Sequence, residues 1–209
     1  MVAAALLVLS ACAASEPPPA TPTSIDRVVA SDVDATWNAL IAGINGRDFE
    51  INSMTKESGT IRVLVRSAAP SQYVDCGDIS IRSKSAEFGD RSYDFPAANT
   101  ARYLVADERA AELVDVERRT SLNALATVQL TPSAQGTRVS VATNYVMNFR
   151  TREFGNNIEA RSFDDSLNFV SLGRASLNEE IRQGSKTKTV KVECQPTGEL
   201  ERRIVAALG

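Results

Sequence analysis

Residues 122–149 read LNALATVQLTPSAQGTRVSVATNYVMNF. Leu122, Ala124, Ala126, Val128 and Leu130 alternate with polar or small neighbours. Thr131-Pro132-Ser133-Ala134-Gln135-Gly136 supplies a turn, and Val139, Val141, Thr143, Tyr145, Met147 and Phe149 alternate on the way back. A period of two puts one set of side chains on one face, so this stretch predicts a long antiparallel hairpin with one buried face.

Upstream, Asp32 can cap a helix in which Val33, Trp37, Leu40, Ile41 and Ile44 recur on one side. Core packing is the expected role of Trp37. Phe49, Ile51 and Ser53 then alternate, Lys56-Glu57-Ser58-Gly59 turns the chain, and Ile61, Val63 and Val65 alternate again as a second hairpin. Residues 79–81 read as a short strand, Ser83 to Ala101 as a long polar loop, and Tyr103 to Val105 as a strand. Asp107 to Arg119 fits helix by composition and strand by its neighbours. Downstream, the reading is a strand around Arg161 to Leu172, a short helix near Ala175 to Arg182 and a strand over Thr189 to Cys194. A closing helix capped by Thr197 carries Leu200, Ile204, Val205 and Leu208 on one side. The predicted class is α+β: an antiparallel sheet with an N-terminal and a C-terminal helix packed on one face, forming a single domain over residues 31–209.

The 209 residues suffice for one real core, and 43% hydrophobic with 23% charged is ordinary for a globular protein. A net charge of −3 argues against a nucleic-acid partner, which needs a basic surface to displace counterions. The chain has no histidine. That excludes Ser-His-Asp and Cys-His catalysis, histidine metal sites and a histidine pH switch.

The N-terminus points to a membrane. Val2 to Leu9 is an apolar run too short to span a bilayer as a helix, and it reads as the core of a secretion signal. It ends in Leu9-Ser10-Ala11-Cys12, which resembles the lipobox of bacterial lipoproteins. The resemblance implies a signal peptide over residues 1–11 and lipidation of Cys12 by diacylglycerol and an acyl chain such as palmitate. An ordinary signal cleaved near Ala13 or Ala14 is the alternative. Ala13 in place of Asp after that cysteine implies the periplasmic face of the outer membrane. Residues 12–30 form the lipidated cysteine and a tether, with Pro17, Pro18, Pro19 and Pro22 favouring extended chain.

With Cys12 acylated, Cys76 and Cys194 remain as an even pair in an oxidising compartment, where a disulfide is expected; a reactive thiol or two reduced cysteines are the alternatives.

Two further stretches carry a family resemblance. Val33 to Leu40 with Trp37, then Phe49-Glu50-Ile51 and Lys56-Glu57-Ser58-Gly59-Thr60-Ile61, resemble proteobacterial envelope lipoproteins, including the BamC type that accompanies the outer-membrane β-barrel assembly machine. Cys194-Gln195-Pro196-Thr197-Gly198-Glu199-Leu200-Glu201 resembles the ending of related lipoproteins. The resemblance implies location and fold, and no binding residue comes with it.

Catalytic patterns are thin. Ser53 to Lys56 and Ser185 to Lys188 each fit S-x-x-K, without the companion motifs that such acylases need. Asp75 with Asp78, and Asp164 with Asp165, could pair over a cation or a glycoside, but read more simply as solvated loop acids. Arg182, Lys186, Lys188 and Lys191 form a small basic cluster that could meet an anionic envelope surface. The expectation is therefore a non-enzymatic, membrane-anchored lipoprotein that binds an envelope protein during envelope assembly or maintenance. It carries no catalytic residue, cofactor or metal. Two other readings stand beside it: a lipid or small-molecule module with a pocket between helix and sheet, and an enzyme with a carboxylate or lysine site.

Overall fold

The structure is a computed structural model, and it describes residues 25–44 and 49–208. The signal, Cys12 and most of the tether lie outside the described residues.

The hairpin predicted at 122–149 is present and longer than its apolar core suggests. Strand β8 runs Glu112–Ser133 and β9 runs Gly136–Gly155, paired from Val114 opposite Gly155 to Ser133 opposite Gly136. At ~3.3 Å per residue the ribbon is roughly 70 Å long. Gly136 (φ 127°) follows the tight loop at its tip, where a Cβ would stand 2.1 Å from the Val29 carbonyl oxygen.

The other strands assemble on this ribbon in two groups. At one end, β3 (Thr60–Ser67) pairs with residues 122–129 of β8, β2 (Phe49–Thr55) pairs with β3, and β1 (Ile25–Val29) pairs with residues 137–141 of β9. At the other end, β7 (Ala101–Asp107) pairs with residues 112–118 of β8, and β10 (Ile158–Val170) runs back along residues 144–155 of β9. Every pairing is antiparallel, and together these strands make one seven-stranded sheet. The β9–β10 turn is Asn156-Asn157, both at positive φ (48° and 63°), as a two-residue hairpin turn of the mirror-image type requires.

One face of the ribbon is buried along its length: Val114, Val116, Leu122, Ala124, Ala126, Val128 and Leu130 of β8, with Val139, Val141, Tyr145, Met147 and Phe149 of β9. Different elements cover its two ends. Helix α1 (Val33–Ile44) and helix α2 (Glu199–Ala206) contribute Trp37, Leu40, Ile44, Leu200, Ile204 and Val205 to the core. These helices approach so closely that a Cβ on Gly43 would fall 1.9 Å from the Ala207 carbonyl oxygen. The far end is covered by the hairpin of β5 (Asp78–Ser83) and β6 (Arg91–Pro96), and by the hairpin of β11 (Ala175–Gln183) and β12 (Lys186–Pro196). A two-residue strand, β4 (Val74–Asp75), pairs with the end of β12. There Cys76 and Cys194 form a disulfide across 118 residues of sequence.

The α+β expectation is overturned. About 64% of the described residues are strand and 13% helical, so the protein is a mostly-β molecule with two short helices. The segment at 175–182 expected as helix is β11, the loop expected over 83–101 contains β6, and the ambiguous stretch 107–119 is largely the first part of β8. For β8 and β11 the physical reason is shared. Arg118 and Glu179 occupy inward positions of β8 and β11, where alternation calls for apolar residues, and they satisfy each other. Each charge broke the period-two pattern of its own strand and left a sequence that scores as helical by composition. Finally, residues 25–29, read as tether, are strand β1 on the edge of β9.

Candidate binding face

Alternation on β8, β9 and β10 leaves their other face uncovered by the rest of the described residues. Its rows follow from the registers. Arg119, Arg150 and Asp164 stand abreast, as do Ser121, Asn148 and Ser166. Asn123, Val146 and Asn168 form the next row, then Leu64, Leu125, Asn144 and Val170, with Leu64 supplied by β3. Val146 is thus ringed by four carboxamides: Asn144 and Asn148 two residues away on its own strand, Asn123 and Asn168 directly across. Asparagine is depleted in strands, so four of them around one mid-strand residue answer to something other than strand propensity.

Leu64, Leu125, Val146 and Val170 make a discontinuous apolar strip across four strands, rimmed by those amides. Val170 is 52% exposed. Beyond the strip lies a groove of about 1030 Å³ lined by Arg119, Ser121, Asn148, Arg150, Asp164 and Ser166 among others. Its charges are balanced: Arg150 Nε donates to Asp164 Oδ1 at 2.5 Å, and Arg119 pairs with Glu117 at 3.1 Å.

No protein-family model matches the chain, and neither a curated protein nor a solved structure matches it.

The residues singled out from sequence are dispersed. Cys12 lies outside the described residues, and Cys76 with Cys194 is a structural bridge. Ser53 and Lys56 fall at the β2–β3 turn, where Lys56 pairs with Asp34 at 2.9 Å. In the second pattern the Ser185 hydroxyl accepts from the Arg109 N–H at 3.4 Å. Asp75 accepts from the Gly77 N–H at 2.9 Å, while Asp78 opens β5 on the surface. Asp164 and Asp165 both line the groove. The basic cluster divides: Lys191 pairs with Glu193, whereas Arg182 is half-buried, donating to Glu153 Oε2 at 3.0 Å and to Asp107. Burial pushes the Asp107 carboxyl up, but the Ser185 hydroxyl, the Arg109 and Ala110 N–H groups and Arg182 together hold it below the ordinary carboxylate range.

Sequence reading missed three features. The first is the Asn ring, visible only once the register of three strands is known. The second is the buried bidentate pair Arg118–Glu179, at 2.6 and 2.9 Å, with Arg118 also donating to the Asn99 carbonyl at 2.8 Å and lying over the Phe149 ring. The third is Glu201, fully buried on α2, which the Tyr145 hydroxyl reaches at 2.7 Å and the Ser171 hydroxyl at 2.9 Å. Its place three residues before Ile204 and four before Val205, on the inward side of α2, was the only sign of it. Burial, and then the Glu201 carboxylate, push the Tyr145 phenol up, so it stays a hydrogen-bond donor.

Proposed function

We propose that this protein is a lipid-anchored component of the bacterial envelope whose domain binds another envelope protein through the uncovered face of β8, β9 and β10. That face carries the reading. Its apolar strip set inside a ring of amides, with arginines and a groove beside it, has the anatomy of a protein interface: apolar centre, polar rim, charge mostly balanced. The anchor rests on the Leu9-Ser10-Ala11-Cys12 resemblance and on the tether that follows. The Cys76–Cys194 disulfide fits an oxidising compartment such as the periplasm. The reading places the domain at the periplasmic face of the outer membrane. A pocket between helix and sheet draws no support, since Trp37, Leu40 and Ile44 fill that space against the core.

The test is site-specific photo-crosslinking in intact cells. A photoreactive side chain at Ser121 or Ser166 should trap one envelope protein, and the same probe at Glu57, on the far turn, should not. Asn148→Arg should abolish the adduct at Ser121 while leaving the fold intact by circular dichroism. Equal trapping at Glu57, or an adduct indifferent to Asn148→Arg, refutes the interface. Mass analysis of the mature N-terminus checks the anchor separately: an unacylated Cys12 refutes it.

A further inference from the structure

The outer edge of β9 is shared by two strands that do not meet. Strand β1 pairs with it as far as Val141, and β10 pairs with it from Asn144 onward. Residues 142 and 143 are the interval between them, closed at its inner side where the Ser171 N–H donates to the Thr143 carbonyl at 2.9 Å. A cleft of about 250 Å³ opens there, walled by Val141, Ala142, Val170 and Leu172 and floored by Thr143 and Ser171. Val170 and Leu172 are 52% and 67% exposed, so its rim is apolar surface left in water.

Behind the floor stands Glu201, at 0% exposure. The Ser171 hydroxyl, which accepts from the Thr143 N–H at 2.6 Å, lies 2.9 Å from Glu201 Oε1, so the cleft floor and the carboxylate belong to one hydrogen-bonded unit. Oε1 takes Ser171 and Tyr145; Oε2 has no hydrogen-bond partner among the described residues, and none of them forms an ion pair with Glu201. The neighbouring cations on α2 are engaged elsewhere, Arg202 and Arg203 both pairing with Glu199. A buried carboxylate with an open oxygen and no counter-charge is costly unless a cation or donor completes it.

We infer that this cleft is a binding site for a small amphipathic cation: an alkyl chain seated against Val141, Val170 and Leu172, ending in a protonated primary amine that turns the Ser171 hydroxyl aside to reach Glu201 behind it. The apolar walls account for the chain, and the open Oε2 accounts for the charge. The volume suits a molecule of modest size, since a cavity near 150 Å³ already holds benzene. This site borders the protein interface proposed above and shares Asn144 and Val170 with it, but its test involves no partner.

The experiment titrates the full chain carrying Cys12→Ser, which removes acyl chains from the assay, with n-hexylammonium, n-hexanol and hexanoate, read by amide and methyl NMR shifts. Hexylammonium should give saturable shifts at Thr143, Ser171 and Leu172 with affinity about tenfold above hexanol, and hexanoate should give none. Glu201→Gln should reduce hexylammonium to the level of hexanol. Ala142→Trp, which blocks the mouth without touching the carboxylate, should abolish both. Equal affinity for hexylammonium and hexanol, a preference that survives Glu201→Gln, or no saturable shift with any ligand overturns the site. If Glu201→Gln fails to fold, the comparison of the three ligands on the native residue and the Ala142→Trp variant decides.

Discussion

Arg118 is 1% exposed in the middle of β8, at an inward position flanked along the strand by Val116 and Thr120. Its guanidinium meets the Glu179 carboxylate with two hydrogen bonds, so the pair crosses from the long sheet to the β11–β12 hairpin. Such a pair adds little net stability over apolar residues of equal volume, but losing one member strands the other without compensation. Arg118→Ala is therefore expected to cost about 3–5 kcal/mol in urea unfolding. Arg118→Met with Glu179→Leu should recover most of that loss. A single variant within about 1 kcal/mol of the parent would show that water reaches and solvates Glu179. The same pair marks the limit of what residue patterns could tell. Val114, Val116, Leu122 and Ala124 advertise their strand; Arg118 hides it, because an inward charge is intelligible only once its partner on a distant strand is known.

At the scale of elements, local signals served well where one element sufficed. The α1 boundary followed from a cap, and the cap is made: the Ala35 N–H donates to Asp32 Oδ1 at 2.7 Å. The contact is exposed and local, so Asp32→Ala should lower stability by about 1 kcal/mol, visible as a small fall in Tm. No change would mean that tertiary contacts alone hold the first turn. The β2–β3 hairpin was equally readable from its alternation and Gly59. The later elements were not. β6 inserts Tyr93 and Phe95 between Ser92, Asp94 and Pro96 in a polar neighbourhood, and β11 is rich in glutamate. Such strands are held by the sheet they cover, not by their own propensity. The candidate face suffered likewise. Each of its asparagines is unremarkable alone, and only the registers of β9 with β8 and β10 bring four of them around Val146.

For the molecule as a whole, the cysteine count foresaw one long-range contact. The Cys76–Cys194 bridge joins the entry to β5 with the end of β12, across 118 residues. Replacing both cysteines by serine should remove about 4–5 kcal/mol by the loop-entropy estimate for a loop of that length. Calorimetry under non-reducing conditions measures it. A loss below about 1 kcal/mol would mean that the unfolded chain is already restrained, or that the bridge strains the native state.

Strands β8 and β9 each belong to both ends of the sheet, so no single cut along the chain releases half of this protein as an autonomous folding unit. The same sharing restricts how the sequence can drift. Deleting one residue within either strand would turn every side chain beyond it over, putting Asn and Arg where Val and Tyr are buried. The ribbon can therefore change length only by even steps taken in both strands together, or at its two-residue tip. Descendants of this chain should differ in the dressing of the hairpin long before they differ in its span.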